Sequence, residues 1–284
     1  VENTGSGDTS IAVPSDAANY MDLSSLTTFA DSLMKTADLK QYRITGTINA
    51  NMSIIGIPIN ANIPMDFRLK LNADNTVQSA YINLDVPYFI GVLQQDMTAK
   101  VYYEDGVLYF DRNWETSTGA LWWKEYYDHH EYMKCTIDEF MANPMKYVYF
   151  CTNFTSMVEN AINDAIAKSD QKAVRTGNIM FEEALTGFHY NGSNQWNVNL
   201  DAAHLINNSD FSDQMSITVG KGSNGILNSI SLSTRVLDMI NLQLNNGQLV
   251  NADKSNVDMS VIPTGLSSNP NYVFGEVKVV ETKK

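Results

Sequence analysis

Positive charge is scarce in this chain: 19 Lys and Arg stand against 32 Asp and Glu, a formal net charge of −13 over 284 residues. Nucleic acid and anionic headgroups repel such a protein unless its bases gather into a patch, and here they are scattered, which excludes nucleic-acid binding. Cysteine is scarcer still. Two residues, Cys135 and Cys151, cannot build a disulfide framework. Buried free thiols are the expectation, and a Cys135–Cys151 bridge is the alternative. No apolar run approaches the roughly 18 residues that a membrane-spanning helix needs.

Catalytic signatures are missing as well. The sequence contains neither a Gly-Xaa-Ser-Xaa-Gly elbow nor a phosphate-cradling loop. Asp128-His129-His130-Glu131 is the one cluster with metal-ligand chemistry, but neighbouring residues point apart on a strand and diverge by about 100° on a helix. A polar loop with no metal is the reading for it. Glu182 and Glu183 adjoin, so they cannot face each other across a glycosidase cleft of about 5 to 9 Å. A non-catalytic protein without a cofactor is expected.

What the chain has in abundance is alternation. Every odd position from Ile55 to Leu71 is apolar, including Phe67 and Leu69, while the even ones read Gly56, Pro58, Asn60, Asn62, Pro64, Asp66, Arg68 and Lys70. A period of two marks a strand with one buried and one wet face. One wet face implies an antiparallel sheet, since parallel strands are apolar on both sides. On this pattern Phe67→Asp should unfold the chain and Arg68→Asp should be nearly silent.

Residues 1–20 are rich in Gly, Ser, Thr, Asn and Asp and read as a flexible tether, preceded on this expectation by a secretion signal and a lipid-bearing Cys. Residues 21–284 are read as a single domain. A helix capped by Asp22 or Ser24 would carry Leu26, Phe29, Ala30, Leu33, Met34 and Ala37 on one stripe. Strands fill Gln41 to Val86, Asp105-Gly106 supplies a tight hairpin turn, and Leu121 to Tyr127 reads as a further strand. Thr136-Ile137-Asp138-Glu139 is a capping box opening a short helix, with a longer one after Pro144 reaching about Ala167. Alternation returns at Trp196-Val198-Leu200, Met215-Ile217-Val219, Ile230-Leu232, Ile240-Leu242-Leu244 and Val257-Met259-Val261.

Helix, strands, helices, strands is also the order of an α+β half-barrel: a large curved antiparallel sheet with helices on its concave face. With the opening helix running into Tyr42-Arg43-Ile44-Thr45-Gly46, and with Trp196 to Leu205, Met215 to Lys221 and Leu227 to Leu232, the chain resembles the LolA, LolB, LppX and RseB half-barrel lipoprotein-carrier superfamily. The resemblance implies a bacterial surface or envelope protein, secreted or lipid-anchored, that binds a hydrophobic or lipid ligand and has an envelope or surface partner. The cavity wall would comprise Phe29, Leu33, Phe67, Leu69, Trp196, Val198, Met215 and Ile217. A different class stays open, a surface module for protein or glycan contact with a filled core, using the aromatic segment around Trp122.

Overall fold

The computed structural model describes residues 23–54, 57–86, 96–120, 122–152, 160, 185–201, 214–236, 240–249 and 256–284. Helix α1 (Leu23–Ala37) precedes strands β1 (Gln41–Ile54), β2 (Ile57–Leu71), β3 (Val77–Val86), β4 (Met97–Glu104), β5 (Val107–Thr118) and β6 (Glu125–Thr136). Helices α2 (Ile137–Ala142) and α3 (Pro144–Thr152) follow, then β7 (Leu185–Gly192), β8 (Gln195–Asp201), β9 (Gln214–Lys221), β10 (Leu227–Val236), β11 (Ile240–Leu249) and β12 (Lys278–Lys283). The strands form one sheet of 12 in the order β12-β6-β5-β4-β3-β2-β1-β11-β10-β9-β8-β7, and neighbouring strands pair antiparallel. β1 closes the two halves of the chain by pairing with both β2 and β11.

The long alternation is a single strand of 15 residues, Ile57–Leu71. At its start the pattern holds, with Ala61 and Ile63 buried and Asn60, Asn62 and Pro64 exposed. Because paired residues share a face, the apolar side can be followed across the sheet. Phe67 faces Ile44 and Ile82, Ile82 faces Val101, and Val101 faces Phe110. In the other direction Ile63, Ile48, Leu244, Leu232, Ile217, Val198 and Phe188 stand in register. The reverse side of this second half carries a polar row of Asn62, Asn49, Gln243, Ser233, Ser216 and Asn199.

Over β2 to β6 the reverse side is not wet. Tyr81, Tyr102 and Tyr109 line it in register with Arg68, and the stretch from Val257 to Tyr272 lies across them, burying Leu266 to 1% and Tyr272 to 5% exposure. Tyr272 stands edge-on to Tyr109 and Tyr132 at 5.2 and 5.3 Å, a geometry that brings positive ring edges to negative ring faces. Arg68, expected in solvent, is 9% exposed. Val257-Met259-Val261 is not a strand, and Val261 packs against this tyrosine layer together with Ile262 instead of extending the ladder.

Two further expectations shift. Leu121 to Tyr127 is not continuous strand: β6 begins at Glu125, and Trp122 to Lys124 belong to the hairpin tip. Asp128 to Glu131 lie inside β6 rather than in a loop. β7 and β12 lacked clean alternation and are found only through their partners β8 and β6. The expected helix beyond Thr152 lies largely outside the described residues.

Local turn chemistry behaves as read. Asp105 and Gly106 have φ of 50° and 80°, the positive values that a two-residue hairpin turn demands. Thr136 Oγ1 accepts from Glu139 N at 3.2 Å and Glu139 Oε2 accepts from Thr136 N at 2.8 Å, a complete capping box. Thr136→Ala is expected to lower stability by about 1 kcal/mol in urea unfolding, because α2 is too short to hold its first turn without that cap.

Candidate functional site

Two helical pieces sit on the apolar side and leave sheet between them. At one end α3 contributes Tyr147, Phe150 and Cys151 to a core with Phe110, Met97, Met133 and Cys135. Tyr147 stacks on Phe110 at 5.1 Å and Phe150 meets the same ring edge-on at 6.2 Å. Both cysteines are free and buried. Burial pushes both thiols up, that of Cys151 to about 12.

At the other end α1 places Phe29 against Phe188 at 5.3 Å and Trp196 at 5.5 Å. The helix is turned away from its expected stripe. Ser25 and Ser32 are buried at 6% and 1%, whereas Leu33 and Met34 are 44% and 62% exposed. Ser32 and Thr36 donate to the carbonyls of Thr28 and Ser32 at 2.9 and 2.6 Å, and Thr36 Oγ1 accepts from Leu227 N at 3.0 Å. Small hydroxyl residues that satisfy themselves on their own helix let its backbone approach the strands closely. Tyr42 Oη fastens the end of the helix by donating to Thr36 O at 3.0 Å.

Between the strands that seat α3, chiefly β4 and β5, and those that seat α1, β8 and β10, lie β3, β2, β1 and β11. On these strands Ala50, Ala61, Ile63 and Val86 belong to the buried core that α3 joins, with Ile48 and Leu84 packed against it, whereas Ile82, Phe67, Leu69, Ile44, Leu244 and Leu249 are half-buried. This is a continuous greasy strip rather than scattered exposure, as its register shows.

Of the eight expected wall residues, the fold gathers Phe29, Trp196 and Ile217 into one packed cluster. Val198 stands beside them as partner of Ile217 and is 8% exposed, and Trp196 is 1% exposed, so these residues form filled core. Met215 pairs with Leu200 on the same side. Phe67 and Leu69 lie on β2, with β1, β11, β10 and β9 between them and β8, about 24 Å measured along the sheet at the usual strand spacing. Leu33 points outward. Sequence reasoning missed Ile44, Ile82 and Leu244, whose alternation was visible but whose coverage was not. A pocket of about 330 Å³ opens instead beside the end of α1, lined by Lys35, Asp38, Leu39, Gln41 and Ile226 among others, and it shares none of the eight.

His129 and His130 have protein partners. His129 stacks on Trp114 at 5.3 Å, with Nε2 at 2.6 Å from Thr116 Oγ1 and Nδ1 at 3.3 Å from Glu281. His130 turns to the other side, stacked on Tyr132 at 5.7 Å and 3.6 Å from Asp111, whose carboxyl burial pushes above its ordinary range against the pull of that imidazole. Among the described residues no group of His, Cys, Asp and Glu could hold a metal ion, and no helix is long and apolar enough to cross a membrane. In comparisons with known proteins, no family model and no curated protein matches this chain.

Proposed function

We propose that this chain is a non-catalytic binding protein that holds a hydrophobic, acyl-bearing ligand against the half-buried apolar strip over β3, β2, β1 and β11, with α1 and α3 as its two banks and the sheet curved around the ligand. The observation that carries this reading is the strip itself. Phe67, Leu69, Ile44, Ile82 and Leu244 are large, contiguous and incompletely covered, and covering each fully would gain roughly 1.5 to 3 kcal/mol. Its surface offers no fixed charge, so it selects by volume and greasiness and favours acyl chains over sugars or charged metabolites. Such a reading fits a lipoprotein-carrier half-barrel acting at a bacterial envelope.

Titration with a fluorescent fatty acid tests it. Saturable binding is expected, with Leu69→Trp and Leu244→Trp each weakening it by about tenfold by filling the strip while the melting temperature holds. Absence of saturable binding, or affinity untouched by both substitutions, overturns the proposal.

A further inference from the structure

The stretch from Val257 to Tyr272 covers the tyrosines on the reverse side of the sheet and stops there. Across β2, β1, β11, β10, β9 and β8 the polar row on that side meets solvent, with Asn62, Gln243 and Ser233 exposed and Asn49, Ser216 and Asn199 half-buried.

What fills this surface runs against strand preference. Asn49, Asn51, Asn60, Asn62, Asn241 and Asn245 hold register positions on β1, β2 and β11, and Asn197 and Asn199 do so on β8. Asparagine is depleted in strands because its short amide competes for backbone hydrogen bonds. On the opposite side the same strands carry Ile48, Ile63, Leu244 and Val198, as strands ordinarily do. A local preference broken repeatedly on one side alone points to contact rather than to stability as its reason. Part of the surface is also held in place: Thr218 Oγ1 donates to Asn197 Oδ1 at 2.8 Å, and Asn191 Nδ2 donates to the same oxygen at 3.1 Å.

Formal charge stops at the borders. Arg235 and Asp201 stand at one end of the rows, Asp66 with Arg43 and Arg68 at the other, Asp85 on β3 beyond β2, and His189 on the β7 edge. Among the described residues no Asp, Glu, Lys or Arg intervenes between these borders, in a chain of net charge −13.

We infer that this amide-rich side of β2, β1, β11, β10, β9 and β8 is a contact surface for an extended, uncharged polysaccharide. Asn and Gln amides and Ser and Thr hydroxyls each donate and accept, as sugar hydroxyls do. Neighbouring strands lie about 4.8 Å apart, close to the length of one pyranose residue in an extended chain, so successive sugars crossing the strands meet successive side chains of a row. From Asn62 to Asn199 the row crosses five strand spacings, about 24 Å, which fits an oligosaccharide and not a single sugar. Other partners want different groups. A protein interface is anchored by buried aromatics and arginine at its centre, a bilayer by apolar and aromatic side chains, and a nucleic acid or acidic polysaccharide by a basic patch. The surface inside its borders offers none of these.

Affinity electrophoresis of the full chain through gels containing hydroxyethylcellulose or glycol chitin tests this, with polygalacturonate gels as the charged comparison. Retardation by a neutral polymer is expected, at low and high salt alike, because no ion pair takes part. The hexasaccharide of the retarding polymer should compete better than its disaccharide, since a longer chain meets more strands. Asn62→Ala with Gln243→Ala should weaken retention about tenfold, because two hydrogen-bonding side chains leave the row. The melting temperature should hold, as both side chains lie in solvent. Fatty-acid binding should be unchanged in the double variant, which separates this surface from the apolar strip on the other side of the sheet. The inference is overturned if neither neutral polymer retards the wild-type chain, if the double variant is retarded equally, or if polygalacturonate retards the chain more strongly. A wild-type dimer that the same double variant dissociates in sedimentation would give the surface to a second copy and overturn it as well.

Discussion

Arg68→Asp is expected to cost about 3 to 5 kcal/mol or to prevent folding, the range for stripping one partner from a buried ion pair. Arg68 Nη2 lies 2.8 Å from Asp66, its Nη1 donates to Asp258 O at 2.6 Å, and its guanidinium stands 5.7 Å from the Tyr81 ring. A carboxylate there would face Asp66 and Asp258 with its nearest counter-charge, Arg43, already committed to Asp66 at 2.9 Å. Urea unfolding measures the loss; an unchanged midpoint would return this face of β2 to solvent. Arg43, whose side chain is 36% exposed, should cost less than about 1 kcal/mol when changed to Ala.

The same pair sets an acid limit. Burial would raise the Asp66 carboxyl, but hydrogen bonds from Arg68 and Arg43 outweigh it and hold the group below its ordinary 3.8. A carboxylate with a depressed folded pKa contributes stability that is complete above its unfolded value and is lost as pH falls through the folded one. Acid unfolding below pH 3.8 should therefore become shallower in Asp66→Asn, and that variant should be less stable at neutral pH.

Phe110→Ala is the second large effect expected, about 3 to 5 kcal/mol for a core phenylalanine. The ring is 2% exposed and is the seat on which both Tyr147 and Phe150 of α3 rest. Its removal loosens α3 before it dissolves the sheet, because β5 keeps its pairing with β4 and β6. Thiol labelling reads this directly. Cys135 and Cys151, 0% and 7% exposed, should resist a thiol reagent in the native chain and react much faster in the variant. Equal labelling rates would show that α3 does not depend on Phe110.

Alternation in β2, the Asp105-Gly106 turn, the Thr136 cap and the strands at Trp196 and Met215 were legible because each depends on residues within a few positions of one another. A period of two can be read without knowing what the strand lies against. β7 and β12 were not legible, since Leu185–Gly192 and Lys278–Lys283 take their form from the edges they join. Coverage of the apolar side shared this fate: Phe67 and Leu69 are left half-buried, whereas Trp196 and Val198 carry the same period and are filled core.

By itself, then, the sequence determined that this is an antiparallel sheet protein whose strands alternate between two unlike faces, because side-chain alternation is a property of each strand alone. Only the tertiary structure decided what covers each side. Asp258 reaches Arg68 across 190 residues and turns an apparently wet face into core. Ser25 and Ser32, not Leu33 and Met34, became the buried side of α1, because close backbone approach to the strands favours small side chains that carry their own hydrogen-bond partners. Coverage is a contest between segments far apart in the chain, and no local pattern records its outcome.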